Sequence, residues 1–465
     1  MGKSRRRQPH DRFLTALVAN RDGQIVELEG FAAVGRDGPL MEPLSLKSTM
    51  PTPHGSEVMW LPDRRPIVFD LESRQFVELD EDPYRTGSPV YPVAAFNSPG
   101  YVTTHVSAYR ETRAAAVLPL FSYGAVGWHG DGFRSTLIQV DTEPRQDLRF
   151  MDPSDVERGI RRLRRELPGN RLRAHLEKCA LTYGCPAGKN FFLGRYEAPL
   201  PTSRRCNARC LGCLSFQENS LIRSSQDRID FTPTPDEIAG VALAHIGRVP
   251  GGVVSFGQGC EGDPLLAAHV IEPAIRRIRQ GSPLGTINLN TNASRPDVVA
   301  SLFEAGLDSM RVSMNSVREA CYNAYFQPNG YGFADVLASI DRAMAMGGAV
   351  SLNYLNQPGV TDTPEERDAL LRFLDRHPVQ MIQWRNLNYD PVRYRDAMMA
   401  AAPLGTPIGM ANVLNDIRNR HPTLLFGYFN PTREILASVL GTRRPHRSHE
   451  ERRASSPKER PVDNR

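Results

Sequence analysis

The chain has no apolar run near the about 18 residues that a bilayer-spanning helix requires, so no transmembrane helix and no membrane partner are expected. Its start, MGKSRRRQPHDRF, is basic but has no apolar stretch behind the charges, which argues against a secretory leader. Cysteine is scarce and odd in number, seven in 465 residues, with none beyond Cys321. That argues against a disulfide framework and for a reducing, cytoplasmic setting. No RNP sequence or GxxG loop occurs in the body, so no nucleic-acid module is expected there. The net charge of +5 is equally uninformative about the body. It sits at the two ends: Lys3, Arg5, Arg6, Arg7 and Arg12 face only Asp11, and the stretch from Arg443 is strongly basic, so the middle is slightly acidic. Residues 1–12 and 443–465 read as solvated, disordered tails, with contact to a polyanion as the second reading.

Between the tails the composition is that of a globular protein, 40% hydrophobic and 23% charged. Residues 13–150 carry short β-type runs such as TALVA, QIVELE, PIVFDL and YPVAAFN, punctuated by Pro, Gly, Asp and Asn, and predict a β-rich N-terminal domain. Within it His105, His129 and Asp131 have no ligand spacing. Residues 151–195 predict a helical connector of two helices joined at Pro168-Gly169, the first capped by Asp152 or Ser154 and the second ended by Gly184. From residue 196 to 400, apolar runs of strand length (GGVVSFG, TINLNT, DSMRVSM, AVSLNYL, VQMIQWRN) alternate with helix signals. The patterns Thr234-x-x-Glu237, Ser316-x-x-Glu319 and Thr363-x-x-Glu366 have the form of capping boxes, and Gly306 and Gly347 stand where helices end. With APLPTS as a first strand, about six β/α units result. Such alternation gives a parallel sheet covered by helices, an α/β fold whose chemistry sits at the carboxyl ends of the strands. Residues 401–442 predict a helix and a short strand as a C-terminal extension.

Cys206, Cys210 and Cys213 stand in TSRRCNARCLGCLS with the spacing C-x3-C-x2-C, directly after the first strand. Three soft thiolates on one loop suit an iron–sulfur cluster or zinc. Three ligands leave one corner of a four-iron cube without protein, open to a small molecule. A zinc knuckle needs a fourth ligand, and the next Cys or His after Cys213 is His245; Cys179 and Cys185 upstream are the other sources. At the second strand end, SFGQGCEGDPLL brings glycines beside Glu261 and Asp263. At the third, fourth and fifth stand Asn292, then Ser313 and Asn315, then Asn353, whose amides and hydroxyls donate and accept at once. At the sixth, strand alternation puts Gln383 and Arg385 on one face and Trp384 on the other.

This set of motifs resembles the radical S-adenosylmethionine (SAM) superfamily over about residues 196–400, in particular an uncharacterised group with a β-rich N-terminal extension. The resemblance implies a partial (β/α)6 TIM-like barrel. It implies a [4Fe-4S] cluster held by Cys206, Cys210 and Cys213, whose fourth iron chelates SAM, and reductive cleavage to a 5′-deoxyadenosyl radical that abstracts hydrogen from a substrate. Glu261-Gly262-Asp263-Pro264 is similar to the family's GGEP segment, which receives the SAM amino group, with Asp263 where Glu is usual. Asn292, Ser313, Asn315 and Asn353 are the implied SAM contacts, and Gln383 and Arg385 candidates for a SAM or substrate carboxylate. Gly212 stands where many members carry an aromatic residue. No D-x-H-x-x-G loop occurs, so cobalamin is not expected.

The resemblance implies a reductant such as a flavodoxin or ferredoxin, and leaves a small molecule, a peptide or RNA open as substrate. Cys260, inside the SAM-loop motif, is a candidate catalytic thiol. Cys179, Cys185, Cys260 and Cys321 leave a second cluster open, with buried thiols the commoner fate. The competing class is a non-catalytic iron–sulfur or zinc binding protein that uses the barrel as a scaffold.

Overall fold

The computed structural model describes residues 12–218 and 222–442; apart from Arg12, the two tails lie outside the described residues. The centre of the molecule is a seven-stranded sheet that is parallel throughout, with strands in chain order: β1 (Glu197–Pro199), β2 (Val253–Phe256), β3 (Thr286–Thr291), β4 (Ser309–Met314), β5 (Ala349–Asn356), β6 (Met381–Asn386) and β7 (Leu425–Gly427). Six strands were expected in this sheet; the seventh is the short strand expected in the C-terminal extension, which pairs with β6 and so joins the barrel sheet rather than standing apart from it. The sheet curls. Asn430, just past β7, donates through Nδ2 to Glu197 Oε1 of β1 at 2.7 Å, and Tyr196 Oη donates to the Asn430 carbonyl at 2.6 Å.

Helices lie between successive strands: α4 (Pro235–Ile246), α5 (Ala268–Gly281), α6 (Pro296–Ala305), α7 (Glu319–Phe326), α8 (Phe333–Ala345), α9 (Pro364–Arg376), α10 (Pro391–Ala401) and α11 (Met410–Arg420). One large apolar core joins them to the outer face of the sheet. Trp384 lies fully buried there, edge-on to Tyr354 and Phe426. Of the three capping patterns only Thr234–Glu237 forms a box. Glu366 is drawn inward by long-range partners, accepting from Ser316 Oγ at 2.7 Å and from Tyr354 Oη. That removes Glu366 from the Thr363 cap, and α7 begins at Glu319 after Arg318 rather than at Ser316. Gly306 and Gly347 do adopt the left-handed conformation expected at helix ends.

Before the barrel come α1 (Pro153–Glu166), α2 (Arg171–Thr182) and a third helix, α3 (Pro186–Leu193), that the sequence reading missed. Asp152 caps α1. They pack against α4, where His245 lies fully buried with Nε2 3.2 Å from the Tyr196 carbonyl. Residues 13–140 form antiparallel sheets centred on the strand Thr15–Ala19, which pairs with Ile25–Ala32, Tyr91–Phe96 and Val126–His129. No helix among the described residues is long and apolar enough to cross a membrane.

The β-rich region is fastened to the carboxyl ends of β5 and β6. Asn386 donates to the Tyr101 carbonyl at 2.9 Å and accepts from Thr103 N at 2.9 Å, while Asn356 donates to the Thr103 carbonyl at 2.7 Å. Two asparagine amides thus replace a neighbouring strand. Below them Arg64 and Asp390, 2% and 0% exposed, pair at 3.4 Å, and Asp390 also accepts from Leu118 N and caps α10. Arg64→Met leaves a buried carboxylate without its cation. We expect a loss of about 3 kcal/mol in denaturant unfolding. Burial lowers the His245 imidazole to about 4. A base depressed on folding gives stability that is complete above its unfolded pKa and is lost as pH falls toward the folded value. Unfolding free energy should drop by about 2 kcal/mol between about pH 7 and about pH 5, and His245→Gln should abolish that part of the slope.

Candidate functional site

The cysteine loop leaves β1 and is pinned from three sides. Arg209 N and Leu211 N donate to the Phe326 and Tyr325 carbonyls at 2.9 and 3.0 Å, and Asn329 N donates to the Asn207 carbonyl at 2.9 Å. The Asn207 side chain donates to Ser294 Oγ at 3.0 Å and accepts from Asn292 Nδ2 at 2.8 Å. From the third side comes the turn after β2: Gly262 N donates to the Ser203 carbonyl at 2.7 Å and Asp263 N to the Arg205 carbonyl at 2.8 Å. A Cβ on Gly262 would lie 1.9 Å from the Arg205 carbonyl oxygen, so only glycine allows this approach immediately before Cys206.

Glu261 organises the turn. Its carboxylate, 4% exposed, accepts from Thr202 N and Ser203 N through Oε2 at 2.7 and 2.8 Å, and from Gly257 N and Gln258 N through Oε1 at 2.7 and 2.8 Å. Four N–H groups take up the acceptor capacity of a carboxylate. The expectation that Glu261 meets the SAM ammonium is therefore corrected: it holds the loops after β1 and β2 together. Burial pushes its carboxyl up to about 7, against those four bonds. Asp263, also buried, accepts from Thr291 Oγ1, Asn292 N and Leu265 N, and burial raises it to about 6. Pro264 opens the short 3-10 turn that Asp263 caps.

The loop thiols lie close enough to Asp263 for the charges to interact. Burial first, then Asp263, pushes Cys206 up to about 11, and burial with the neighbouring thiols raises Cys210. Arg228 Nη2 stands 3.6 Å from Cys213 Sγ and its Nε donates to Ser215 Oγ at 3.2 Å. Ligand binding would have to displace these protons, since the thiolate is the metal-binding form. Gly212 has its reason in packing: a Cβ there would lie 2.9 Å from both Tyr325 Oη and the Asn388 carbonyl. Tyr325 fills the space that a side chain at 212 would take. Tyr322 and Tyr331, whose hydroxyls are 3.2 Å apart, stand near Cys210 and Asp263 on the same side.

Inside the curl of the sheet the strands present polar side chains. Ser313, Asn353 and Gln383 are register partners across β4, β5 and β6. Arg311 donates to Gln383 Oε1 at 2.6 Å, and Gln383 Nε2 donates to the Phe429 carbonyl and to Asn430 Oδ1 at 3.1 and 2.8 Å. Gln383 is thus spent on orienting Arg311 rather than free for a ligand. Arg385 stacks on Tyr428 at 3.6 Å and donates to its carbonyl. Arg311 is pushed down to about 9 by burial and by Arg385. The Nε of both arginines and Asn353 Oδ1 are buried without a hydrogen-bond partner. Sequence reasoning missed Arg311, Arg228 and the three tyrosines. For Arg311 the signal was present: a charged residue in RVSMNS, within a parallel strand that burial on both faces should make apolar.

Three other expectations are corrected. Asn315, one residue beyond β4, turns away from the sheet's inner face and donates to the Cys321 carbonyl and Tyr394 Oη at 3.2 Å each. Asn292 is consumed by Asn207, Asp263 and the turn to Ser294. Cys260 does not face the cysteine loop; its sulfur lies with Cys179 and His175 of α2. That trio is also the one group among the described residues compact enough for a single ion, all ligand atoms lying within 4.8 Å. The chemistry of Cys206, Cys210 and Cys213, three thiols on one pinned loop that join no fourth Cys, His or carboxylate in a single-ion group among the described residues, fits a cube with an open iron better than a closed zinc knuckle.

Residues 200–374 match the model of the Radical SAM superfamily. The chain carries a domain of that superfamily, a family of enzymes, and the domain's cofactors are a [4Fe-4S] cluster and SAM. Among curated proteins, "GTP 3',8-cyclase 2" of Mycobacterium tuberculosis (strain ATCC 25618 / H37Rv) is 34% identical over 173 residues, 36% of this chain and 44% of that protein. "GTP 3',8-cyclase" of Mycobacterium ulcerans (strain Agy99) is 31% identical over 192 residues, 39% of this chain and 50% of that protein. The chain thus spans at most half the length of these relatives. Among solved structures, the [FeFe]-hydrogenase maturase HydG aligns at 16% identity with a TM-score of 0.36, over 63% of this chain and 71% of that one. Methylornithine synthase aligns at 14% and 0.37, over 61% and 74%.

Glu261→Gln would turn an amide NH2 against two backbone N–H groups. We expect at least about 2 kcal/mol of destabilisation, measured by thermal unfolding, together with reduced iron content after reconstitution.

Proposed function

We propose that the protein cleaves SAM reductively and uses the resulting radical on an anionic substrate held inside the barrel. Cys206, Cys210 and Cys213 hold three irons of the cluster. When bound, the cluster and SAM supply the electron transfer and the 5′-deoxyadenosyl radical. The chain's own residues bind, orient and exclude water. The backbone of Gly262, Asp263 and Pro264 receives the SAM ammonium, and the buried Asp263 carboxylate adds negative charge nearby. Ser313 and the unpartnered amide oxygen of Asn353 take polar atoms of SAM. Arg311 and Arg385, oriented by Gln383 and Tyr428, pair with a carboxylate or phosphate of the substrate through the fork geometry of guanidinium. The β-rich region fastened at Asn356 and Asn386 screens one side of the mouth from water.

The observation that carries this reading is the pinned loop of three cysteines at the carboxyl end of β1, which forms no closed four-ligand group among the described residues. The two half-buried guanidiniums, whose Nε groups are without a hydrogen-bond partner, support the anionic substrate. The curated relatives make GTP the substrate to try first, and its triphosphate suits such a pair. A flavodoxin or ferredoxin in a reducing cytoplasm would supply the electron.

The protein, reconstituted anaerobically with iron and sulfide, should form 5′-deoxyadenosine from SAM and dithionite, quantified by mass spectrometry. Cys206→Ala should abolish it. If GTP is the substrate, it should raise the rate and yield a cyclised nucleotide, and Arg311→Ala should lower that stimulation at least about tenfold while basal cleavage persists. Iron bound without any SAM cleavage would favour the scaffold reading. Cleavage without a GTP product would remove GTP but leave the radical chemistry.

A further inference from the structure

A second group of metal-binding side chains lies outside the cysteine loop. His175 and Cys179 are four residues apart on α2 and so share one face of the helix. Their reactive atoms, Nε2 and Sγ, are 3.5 Å apart. Cys260 reaches them from the turn after β2, and the three ligand atoms all lie within 4.8 Å of one another. Both thiols are buried and His175 is half-buried. Cys185, six residues beyond Cys179, has its backbone N–H on the Cys179 carbonyl at 3.1 Å, which keeps a third thiol close to Cys179. The imidazole is set edge-on to Phe231 at 6.2 Å, fixing its plane.

We infer that His175, Cys179 and Cys260 form a site for one zinc ion, with Cys185 nearest the fourth position. The chemistry of the set decides the ion. Two thiolates and one imidazole are soft and borderline donors, the combination that tetrahedral zinc takes. The compactness decides against a second iron–sulfur cube, in which each thiolate binds a different iron and the sulfurs stand apart. Charge supports the same assignment: two buried thiolates are costly alone, and a divalent cation neutralises them with the imidazole uncharged. An entry path exists, since His175 also lines a cleft of about 760 Å³ between α2 and the loop carrying Ser215, Gln226 and Arg228.

The ion would join two parts of the chain that the backbone leaves separate. α2 belongs to the connector, whereas Cys260 immediately precedes Glu261, whose carboxylate holds the strand end before Cys206. Zinc here would therefore brace the cluster loop from behind. This inference does not depend on the proposed reaction.

The test is the metal content of the anaerobically purified holoenzyme, measured by plasma mass spectrometry. Wild type should hold about one zinc per chain in addition to its iron. Cys206→Ala should lose iron and keep zinc, while Cys179→Ser and Cys260→Ser should lower zinc at least about tenfold. Cys321→Ser, remote from the group, should retain it. Cobalt alone, added to a zinc-free Cys206→Ala/Cys210→Ala/Cys213→Ala variant that has lost the loop thiols, should give thiolate-to-metal absorption; this reading decides the matter even if the serine variants do not fold. Zinc absent from wild type, zinc indifferent to Cys179 and Cys260, no thiolate absorption with cobalt, or a Cys179–Cys260 disulfide in the alkylated protein would each overturn the inference.

Discussion

The buried carboxylate of Glu261 is the contact on which the site depends. Two loops that follow neighbouring parallel strands each end with backbone N–H groups that have no partner in the sheet. An unpaired buried N–H costs as much as a lost hydrogen bond, or more. One side chain satisfies four of them, two from each loop, and so fixes the distance between the strand ends. Gly262 and Asp263 can then pair with Ser203 and Arg205, and that pairing sets where Cys206 begins. The cluster loop inherits its position from a residue whose carboxylate is taken up by four backbone N–H groups.

The same economy recurs elsewhere. Asp263 joins the turn after β2 to the end of β3, and Asn292 continues the chain of contacts back to Asn207 within the cysteine loop. Gln383 holds Arg311, and Tyr428 holds Arg385. Polar residues at the carboxyl ends of the strands fall into two sets: those that build the chamber and those left with unsatisfied atoms inside it. Arg311, Arg385 and Asn353 belong to the second set. Rigid support of the groups that bind is what keeps a reactive site in register.

Much of this was legible in the sequence. The cysteine spacing, the β/α alternation and the placement of Gln383, Arg385 and Trp384 on opposite faces all follow from local period and chemistry. Most of the failures share one cause, a partner distant in the chain. Glu261 and Glu366 look on paper like a ligand and a cap; each is claimed by groups that only the fold brings near, the loop before Cys206 in one case, Ser316 and Tyr354 in the other. Asn315 lies a single residue past its strand, where alternation no longer predicts direction. Cys260 sits inside a recognisable motif yet faces a helix that precedes it by about eighty residues, a distance no spacing rule spans. The seventh strand was expected as a short strand, but only the fold shows that it pairs with β6.

The asparagine amides at the ends of β5 and β6 carry a mechanical implication. Asn386 follows Arg385 directly, so the residue that anchors the β-rich region and the residue offered to the chamber share one peptide bond. A shift of Tyr101–Thr103 by an ångström would be felt at the guanidinium with no intervening joint. The β-rich region is in this sense tied to the strand end that carries Arg385, and substitutions at Tyr101–Thr103 belong with those that disturb that strand end.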